Sequence, residues 1–244
     1  MKEWYKDWFD SDFYLKVYSH RDKSDAEKLL KLILNNISLP PNANILDAAC
    51  GNGRHSNNFS QLGYNVVGFD LSKSLLKVAQ KNKLINNSKI NYLCSDIRLI
   101  PLKTSFDLIL NLFTSFGYFE SDEDNFSLVK FASTHLSENG YFILDYLNPN
   151  YVINNLVKSS QKNINNMKII ENRKIINNRV EKEIVISDSK NKHRFLESVR
   201  LYSLNEILSV FTKYGFNIVE TFGDYSENIY NKDESERMII IFKR

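Results

Sequence analysis

The chain has 244 residues, of which 43% are hydrophobic and 25% are charged. This length suits one large domain, or one domain with an insertion, and the apolar content is sufficient for a hydrophobic core, which argues against a disordered chain. The 32 basic and 29 acidic residues leave a net charge of only +3, whereas a domain that binds nucleic acid is typically clearly basic.

The cysteines, the histidines and the first residues of the chain indicate the cellular compartment and whether a metal site is expected. Cys50 and Cys94 cannot form a disulfide framework, and neither belongs to a CxxC pair of the kind that binds zinc. His20, His135 and His193 have no metal-ligand spacing. The first residues mix aromatic and acidic side chains, unlike a secretory signal, and no apolar run approaches the length of a membrane span. We therefore expect a cytoplasmic protein without a metal site.

Short apolar runs alternate with helical patterns through the first 150 residues. The sequence predicts a helix over 24–37 after an aromatic lead-in, then a strand over 45–47, a helix over 54–63 and a strand over 65–70. These are followed by a helix that begins after Ser72, by strands over 90–94 and 106–112, by a helix from Asp122, and by a strand over 141–147. This alternation indicates a parallel sheet with helices on both faces.

The pattern changes after Tyr151. From about 167 to 202, β-branched residues alternate with polar ones, which is typical of an antiparallel meander. Ser203 and Glu206 then have the spacing of a capping box that opens a helix over 204–214. Two final strands, over 217–222 and 238–243, are expected to pair antiparallel. The predicted organisation is a core with a lead-in helix at 1–150, a β lid at 151–202, and a helix and strands that complete the core sheet at 203–244.

The most informative motif is Asp47-Ala-Ala-Cys-Gly51-Asn-Gly53, which follows the first predicted strand. The two glycines allow the backbone to turn tightly and to approach a ligand without a Cβ in the way. Asp70 follows Asp47 by 23 residues, at the end of the next predicted strand, where a carboxylate can accept both hydroxyls of a ribose. The motif therefore predicts a nucleoside site at the carboxyl ends of the first strands.

The residues around this turn distinguish between nucleosides. A dinucleotide-binding turn has a third glycine where this chain has Ser56. Asp47 would also lie beside an anionic pyrophosphate, which is unfavourable, whereas it suits a ligand with an amino group and a sulfonium. A nicotinamide-dependent oxidoreductase is therefore disfavoured.

Together with Cys94-Ser-Asp96-Ile97 and the block Glu-Asn-Gly-Tyr-Phe-Ile-Leu-Asp145, the turn resembles the class I S-adenosylmethionine-dependent methyltransferases over nearly the whole chain. The resemblance implies a doubly wound, Rossmann-like α/β fold. Its seven-stranded, mostly parallel sheet would have the order 3-2-1-4-5-7-6, with the seventh strand antiparallel and the meander inserted. The implied cofactor is S-adenosyl-L-methionine.

The resemblance also assigns roles to residues. Asp47 and the backbone of 48–51 are implied to hold the methionine end of the cofactor, Asp70 the ribose, and Asp96 with Ile97 the adenine, while Leu112 faces the methionine. The full implied cofactor set is Tyr18, Arg21, Asp47, Ala49, Gly51, Gly53, Asp70, Leu71, Asp96, Ile97 and Leu112.

A narrower resemblance is to the small-molecule branch that includes the amino-sugar N,N-dimethyltransferases. It is carried by the lead-in Tyr18-Ser-His-Arg21-Asp22, by the segment 112–118, and by the meander. In that branch a tyrosine and an arginine of the lead-in close over the cofactor, which implies this role for Tyr18 and Arg21.

For the acceptor, Tyr118 is predicted as a catalytic or substrate residue, and Arg200, Tyr202 and Arg237 as further substrate residues. His55 is expected to pack at a helix start rather than to act in catalysis. The predicted function is methyl transfer to the amine or hydroxyl of a small molecule, such as a sugar or another metabolite.

The sequence also leaves two alternative functions open. An RNA or protein methyltransferase should show a basic domain or face, and none is evident, so neither nucleic acid nor a membrane is an expected partner. A non-catalytic regulatory protein that binds S-adenosylmethionine is a second alternative. A homodimer is compatible with the sequence.

Overall fold

The computed structural model describes residues 3–18, 23–85, 88–188 and 191–244. The helices are α1 Trp4–Phe9, α2 Tyr14–Val17, α3 Lys23–Asn36, α4 Arg54–Gln61, α5 Lys73–Ile85, α6 Asp122–Asn125, α7 Ser127–His135, α8 Pro149–Asn154 and α9 Leu204–Lys213. The strands are β1 Asn44–Ala48, β2 Asn65–Asp70, β3 Ile90–Cys94, β4 Phe106–Asn111, β5 Leu136–Leu147, β6 Ser159–Ile164, β7 Met167–Ile176, β8 Arg179–Ser187, β9 Lys192–Arg200, β10 Asn217–Phe222 and β11 Arg237–Lys243. Within these ranges no helix has the length and apolar composition that a membrane span requires.

The main sheet has seven strands in the order β3-β2-β1-β4-β5-β11-β10. The strands β1 to β5 pair in parallel, and β11 runs antiparallel to both neighbours. Counting only the strands of this sheet, the order is 3-2-1-4-5-7-6 with an antiparallel seventh strand. The predicted fold class and strand order are thus confirmed.

The central strands are buried on both faces, which explains their nearly continuous apolar sequences. Residues of β1 and β4 at the centre of the sheet are fully buried: Ile45, Leu46, Leu108, Ile109 and Leu110. Helices α3 and α4 cover one face and helices α7 and α9 the other, so that two hydrophobic clusters sandwich the sheet. This arrangement leaves the carboxyl ends of the parallel strands at one edge, where the loops meet.

The second sheet is an antiparallel meander in the order β6-β7-β8-β9, and we refer to it as the lid. It contains one strand more than the sequence predicted, because β6 precedes residue 167. The sequence of β6, Ser-Ser-Gln-Lys-Asn-Ile, has no buried residue, and its pairing with β7 rests on backbone hydrogen bonds. Without an apolar face, such an edge strand has no period-two hydrophobic signal.

The aromatic lead-in packs against the lid and not against the main sheet. Trp8 is fully buried and forms a third hydrophobic cluster with Ile169, Ile184 and Ile186 of the lid. The Trp8 ring also lies 4.7 Å, between centroids, from that of Phe195. The N-terminal segment is therefore held by the inserted meander, although the two are far apart in the sequence.

A buried arginine joins the lid to the loop after β4. The guanidinium of Arg179, on β8, donates to the backbone carbonyls of Gly117 and Phe119 at 3.0 Å and of Tyr118 at 3.1 Å. It also donates to the hydroxyl and the carbonyl oxygen of Ser198. Burial lowers the pKa of Arg179, as desolvation disfavours a charge. A single lid side chain thus contacts three consecutive carbonyls of the loop.

We expect Arg179→Met to lower the free energy of unfolding by about 3 kcal/mol, since, of the three loop carbonyls, that of Tyr118 would lose its donor from Arg179 and the other two would each lose one of two donors. Urea denaturation followed by circular dichroism measures this. Arg194→Met is the matched control, because Arg194 lies on β9 of the same lid but its side chain is 66% exposed, in a loose pair with Glu183. The control should change the free energy by less than about 0.5 kcal/mol. Equal effects of the two variants would contradict the anchoring role of Arg179.

Candidate functional site

In the turn after β1, every second residue has a left-handed backbone conformation. The φ angles of Ala49, Gly51 and Gly53 are +58°, +56° and +75°. Glycine adopts this conformation without strain, whereas at Ala49 it is unfavourable. A Cβ on Gly53 would lie only 2.1 Å from the hydroxyl oxygen of Tyr92, so this position requires glycine for close packing as well. The turn therefore brings bare backbone to the carboxyl edge of the sheet.

This edge opens into a cavity of about 600 Å³, which we call the cofactor cavity. Its walls include most of the cofactor residues that the sequence predicted: Tyr18, Asp47, Ala49, Gly51, Asp70, Leu71, Asp96, Ile97 and Leu112. Gly53 is not on the wall, because it begins α4 and packs against Tyr92. Arg21 lies outside the described residues.

Asp70 fixes the turn to the end of β2. One carboxylate oxygen accepts a hydrogen bond from the Gly51 amide and the other from the Ser72 amide, both at 2.8 Å. Burial raises the pKa of Asp70, although these amide donors act in the opposite direction. Each carboxylate oxygen can accept more than one hydrogen bond, so the group can still bind hydroxyls in the cavity.

Asp47 is a buried carboxylate at the end of β1, with 2% of its surface exposed. The Ser56 hydroxyl donates to it at 2.5 Å. Burial raises the pKa of Asp47 to about 6, because the ionised form is poorly solvated there. A cationic group in the cavity would offset this desolvation. The carboxylates of Asp47 and Asp70 thus suit a ligand with a cationic amino group and hydroxyls, as S-adenosylmethionine has.

Asp96 is oriented by an arginine that the sequence analysis missed. Arg98 Nε and Nη2 donate to the two carboxylate oxygens of Asp96 at 3.0 and 2.6 Å. Burial favours the protonated acid, but the bonds from Arg98 outweigh it, so the pKa of Asp96 is lowered. The Arg98 guanidinium lies 4.5 Å from the ring centroid of Phe119, another wall residue. The adenine role of Asp96 and Ile97 stays a prediction.

Tyr18 reaches the cofactor cavity while its hydroxyl is bound to the lid. The hydroxyl donates to Glu197 at 2.6 Å and accepts from Lys182. The Trp8 indole also donates to Glu197 at 2.6 Å. Lys182 and Glu197 face each other on β8 and β9. Sequence analysis missed this pair, because recognising it requires the register of the two strands.

A second cavity of about 670 Å³, the acceptor cavity, lies between the lead-in, the loop after β4 and the lid. Phe9, Tyr14, Phe113 and Tyr118 line both cavities, so the two share an aromatic wall. Arg237, one of the predicted substrate residues, also lines the acceptor cavity.

The shared wall depends on Asp145, which is fully buried near the end of β5. Its carboxylate accepts from the Phe113 amide at 2.9 Å and from Arg237 Nε at 2.6 Å. Its backbone oxygen accepts from the Thr114 amide at 2.9 Å. Phe113 and Thr114 have φ angles of +58° and +61°, a strained pair for residues with side chains. Asp145 therefore holds an unfavourable backbone path at the junction of the cavities.

The structure does not bring Arg200 and Tyr202 to either cavity, contrary to the substrate roles predicted for them. Tyr202 is 1% exposed in the core, where Asn125 donates to its hydroxyl at 3.0 Å. The Arg200 guanidinium lies 5.0 Å from the Tyr202 ring centroid and donates to the Leu201 carbonyl oxygen. These two residues lie where the end of the lid joins the core.

Comparison with known proteins supports this interpretation of the site. Residues 45–140, which include the turn, Asp70 and Asp96, match the methyltransferase-domain family. The chain is 34% identical over 107 residues to a ubiquinone biosynthesis O-methyltransferase of Pelagibacter ubique, which covers 44% of this chain and 43% of that protein. It is 25% identical over 138 residues, 55% of this chain and 56% of the relative, to the dTDP-3-amino-3,4,6-trideoxy-alpha-D-glucopyranose N,N-dimethyltransferase of Streptomyces venezuelae.

These alignments span about half the length of the curated relatives. The fold, in contrast, is shared over the whole chain. A crystal structure of an S-adenosylmethionine-dependent methyltransferase from Clostridium acetobutylicum has a TM-score of 0.81 over 95% of this chain and 96% of its own, at 22% identity. The predicted resemblance to S-adenosylmethionine-dependent methyltransferases is thus confirmed.

Asp47→Asn should weaken cofactor binding and stabilise the cofactor-free protein. The pKa of Asp47 in the fold, about 6, exceeds its ordinary value of 3.8, so the ionised group destabilises the fold as the pH rises from 4 through 6. Near neutral pH, removing the charge should raise the free energy of unfolding by about 1–3 kcal/mol. Titration calorimetry should show S-adenosylmethionine binding at least about ten-fold more weakly.

The same comparison near pH 4 should show no gain in stability, because Asp47 is then protonated. Asp107→Asn is the control, since Asp107 bonds to the Asn44 amide and does not line the cavity. A loss of stability in Asp47→Asn at neutral pH would contradict the burial of an ionised carboxylate.

Proposed function

We propose that this chain is an S-adenosylmethionine-dependent methyltransferase whose acceptor is an amine of a small molecule. The observation that carries the proposal is the pair of cavities that share one aromatic wall. One has buried carboxylates that suit the cofactor, and the other is lined in part by the lid. Two sites with a common wall suit a direct transfer between two bound molecules.

Bound S-adenosylmethionine supplies an electrophilic methyl group on a sulfonium. The protein then has to orient the acceptor and to exclude water, and such alignment lowers a barrier by about 7–11 kcal/mol in well-ordered systems. Leu112, Phe113 and Tyr118 lie on the cofactor wall at the carboxyl end of β4, and the last two continue onto the acceptor wall. Residues of the lid form one side of the acceptor cavity and would shield a bound acceptor from water on that side.

The lining of the acceptor cavity favours an amine over a hydroxyl. Among the described residues, the one carboxylate on its wall is Glu197. Burial favours the protonated acid, but Lys182, Tyr18 and Trp8 outweigh it, so that the pKa of Glu197 is lowered. A carboxylate in this state is a weak base and cannot activate an alkyl hydroxyl. An amine needs only its neutral form, which desolvation by the cavity favours.

Aromatic rings on the wall point to the same acceptor class. Trp4, Phe9, Tyr14, Phe113 and Tyr118 line the acceptor cavity. Ring faces pack well against a substituted amine. Because Arg173, Lys182 and Arg237 also line this cavity, the wall favours the neutral form of the amine over its ammonium form. The Streptomyces venezuelae relative is named for an amino sugar, and amino sugars are therefore the first acceptors to test.

The proposal predicts that label from methyl-labelled S-adenosylmethionine will move to amines. The assay compares nucleotide-linked amino sugars and other metabolite amines with their hydroxyl counterparts, and mass spectrometry identifies the product. Asp47→Asn serves as a control with weakened cofactor binding. Transfer to hydroxyl compounds alone, to RNA or to protein would overturn the amine assignment. Cofactor binding without transfer to any acceptor, metabolite extracts included, would favour the non-catalytic alternative.

Tyr118→Phe should lower kcat/KM for the acceptor by about 3- to 10-fold, the effect of one lost hydrogen bond, and change the Kd for S-adenosylmethionine by less than about two-fold. Tyr202→Phe is the matched control, because Tyr202 lines neither cavity and its hydroxyl bonds to Asn125 and Asp122. The control should lower thermal stability and leave kcat/KM unchanged. An equal loss of kcat/KM in both variants would show that Tyr118 does not contact the acceptor.

A further inference from the structure

The lid carries a row of three charged side chains on the wall of the acceptor cavity. Arg173 on β7 is directly opposite Lys182 on β8, and Lys182 is opposite Glu197 on β9. All three line the acceptor cavity, and none lines the cofactor cavity. Like charges directly opposite each other on neighbouring strands destabilise a sheet. The two adjacent cations therefore call for an explanation.

Two of the three cations that line the acceptor cavity each have a carboxylate of their own. Lys182 Nζ forms an ion pair with Glu197, within the row. Arg237, the cation on the opposite side, pairs through Nε with the fully buried Asp145 at 2.6 Å. The charges of Lys182 and Arg237 are thus compensated one to one.

The third cation, Arg173, shares its carboxylate with a second cation. Its Nη2 pairs with Glu171, whose side chain is only 9% exposed and does not line the cavity. Lys162 Nζ lies 3.7 Å from the other oxygen of the same carboxylate. Two cations thus meet one anion, and Arg173 is the charged member of this group on the cavity wall. An excess of positive charge is therefore located at Arg173.

The guanidinium of Arg173 keeps donors for a ligand. Nη1 donates to the Ser160 hydroxyl at 3.0 Å and to the Val157 carbonyl oxygen at 3.4 Å, and both of these residues line the acceptor cavity. With the bond to Glu171, these are three of the five N–H groups that a guanidinium carries. The side chain is 22% exposed, so the group is accessible from the cavity. Paired N–H groups of this kind match the oxygens of a carboxylate or a phosphate.

The location of Arg173 separates an anion from the reacting amine. Arg173 lines the acceptor cavity alone, whereas Phe113 and Tyr118 line both cavities. The amine has to lie at the shared wall, because the methyl group comes from the cofactor side. A cavity of about 670 Å³ is large enough for a whole small molecule rather than for an amine alone. The cavity thus suits an acceptor with an amine at one end and an anion at the other.

We propose that Arg173 binds an anionic group of the acceptor, a carboxylate or a phosphate, while the amine lies at the aromatic wall. The inference rests on the proposed function and narrows it to amines that also carry a negative charge. The lid then selects the acceptor by charge, because a neutral amine gains nothing from Arg173.

The test measures kcat/KM for two pairs of amines that differ in one anionic group. One pair is an amino acid and its amide, and the other is an amino sugar 1-phosphate and its methyl glycoside. In Arg173→Gln, kcat/KM for the charged member should fall about 10- to 100-fold, mainly through KM, while the neutral member stays within about two-fold. Intrinsic reactivity cancels when each amine is compared between variants. The pair that shows the effect identifies the anion as a carboxylate or a phosphate.

Two further variants separate charge recognition from a structural effect. Arg194→Gln is the matched control, because Arg194 lies on β9 of the same lid, is 66% exposed and does not line the cavity. It should leave the preference for charged amines unchanged. Arg173→Lys keeps the charge and should retain part of the preference. Circular dichroism verifies the fold of each variant, and in Arg173→Gln Lys162 still lies beside Glu171.

Anion binding is also measured without an acceptor. At constant ionic strength, inorganic phosphate or acetate should raise the melting temperature of the wild type more than that of Arg173→Gln. Equal shifts in the two proteins would contradict the proposed anion site.

The outcomes distinguish this inference from the proposed function. If Arg173→Gln lowers kcat/KM equally for both members of each pair, or for neither, the anion contact is wrong while the methyltransferase assignment stands. If the folded wild type methylates no amine, the proposed function is wrong, and the melting temperatures alone decide whether Arg173 binds an anion.

Discussion

The loop at residues 112–119 separates the two cavities, and buried charged side chains determine its path. Asp145 of the main sheet holds the amides of Phe113 and Thr114, and Arg179 of the lid holds the carbonyls of 117–119. A carboxylate binds the donors and a guanidinium binds the acceptors, so each charge is stabilised by the backbone it orders. Since Phe113 and Tyr118 line both cavities, the relative position of the two sites depends on these contacts.

A consequence is that the lid belongs to the cofactor site as well as to the acceptor site. The hydroxyl of Tyr18, whose side chain lines the cofactor cavity, is bound to Glu197 and Lys182 of the lid. Trp8 adds a further bond to Glu197 and packs on the same sheet. A lid that only selected the acceptor would not need these contacts. Removal of the meander would therefore be expected to perturb the lead-in, and through it the binding of the cofactor.

The sequence predicts a structural feature where the residues that signal it lie close together in the chain. The sheet order was implied by the family resemblance, whereas many strand and helix bounds were predicted because apolar periodicity, capping residues and the glycine turn act over a few residues. The lid strand β6 was missed because it buries nothing. Arg179 and Glu197 were missed because their partners lie about 60 and 180 residues away in the chain, and only the folded register brings them together. The position of Tyr202 in the core could not be read from the sequence, because a residue near the end of a strand can face either a core or a cavity.

The cofactor cavity also concentrates interactions that are unfavourable without a ligand. Burial disfavours the ionised form of Asp47, and Nε2 of His55 has no hydrogen-bond partner among the described residues. Ala49, in the same turn, has a left-handed backbone conformation. Such local penalties persist only where the surrounding fold enforces them, and they are typical of functional sites. A ligand with an ammonium group beside Asp47 would relieve the first of these. Part of the intrinsic affinity for the cofactor would then come from removing strain that the empty fold already bears, which favours a site whose polar groups are in place before binding.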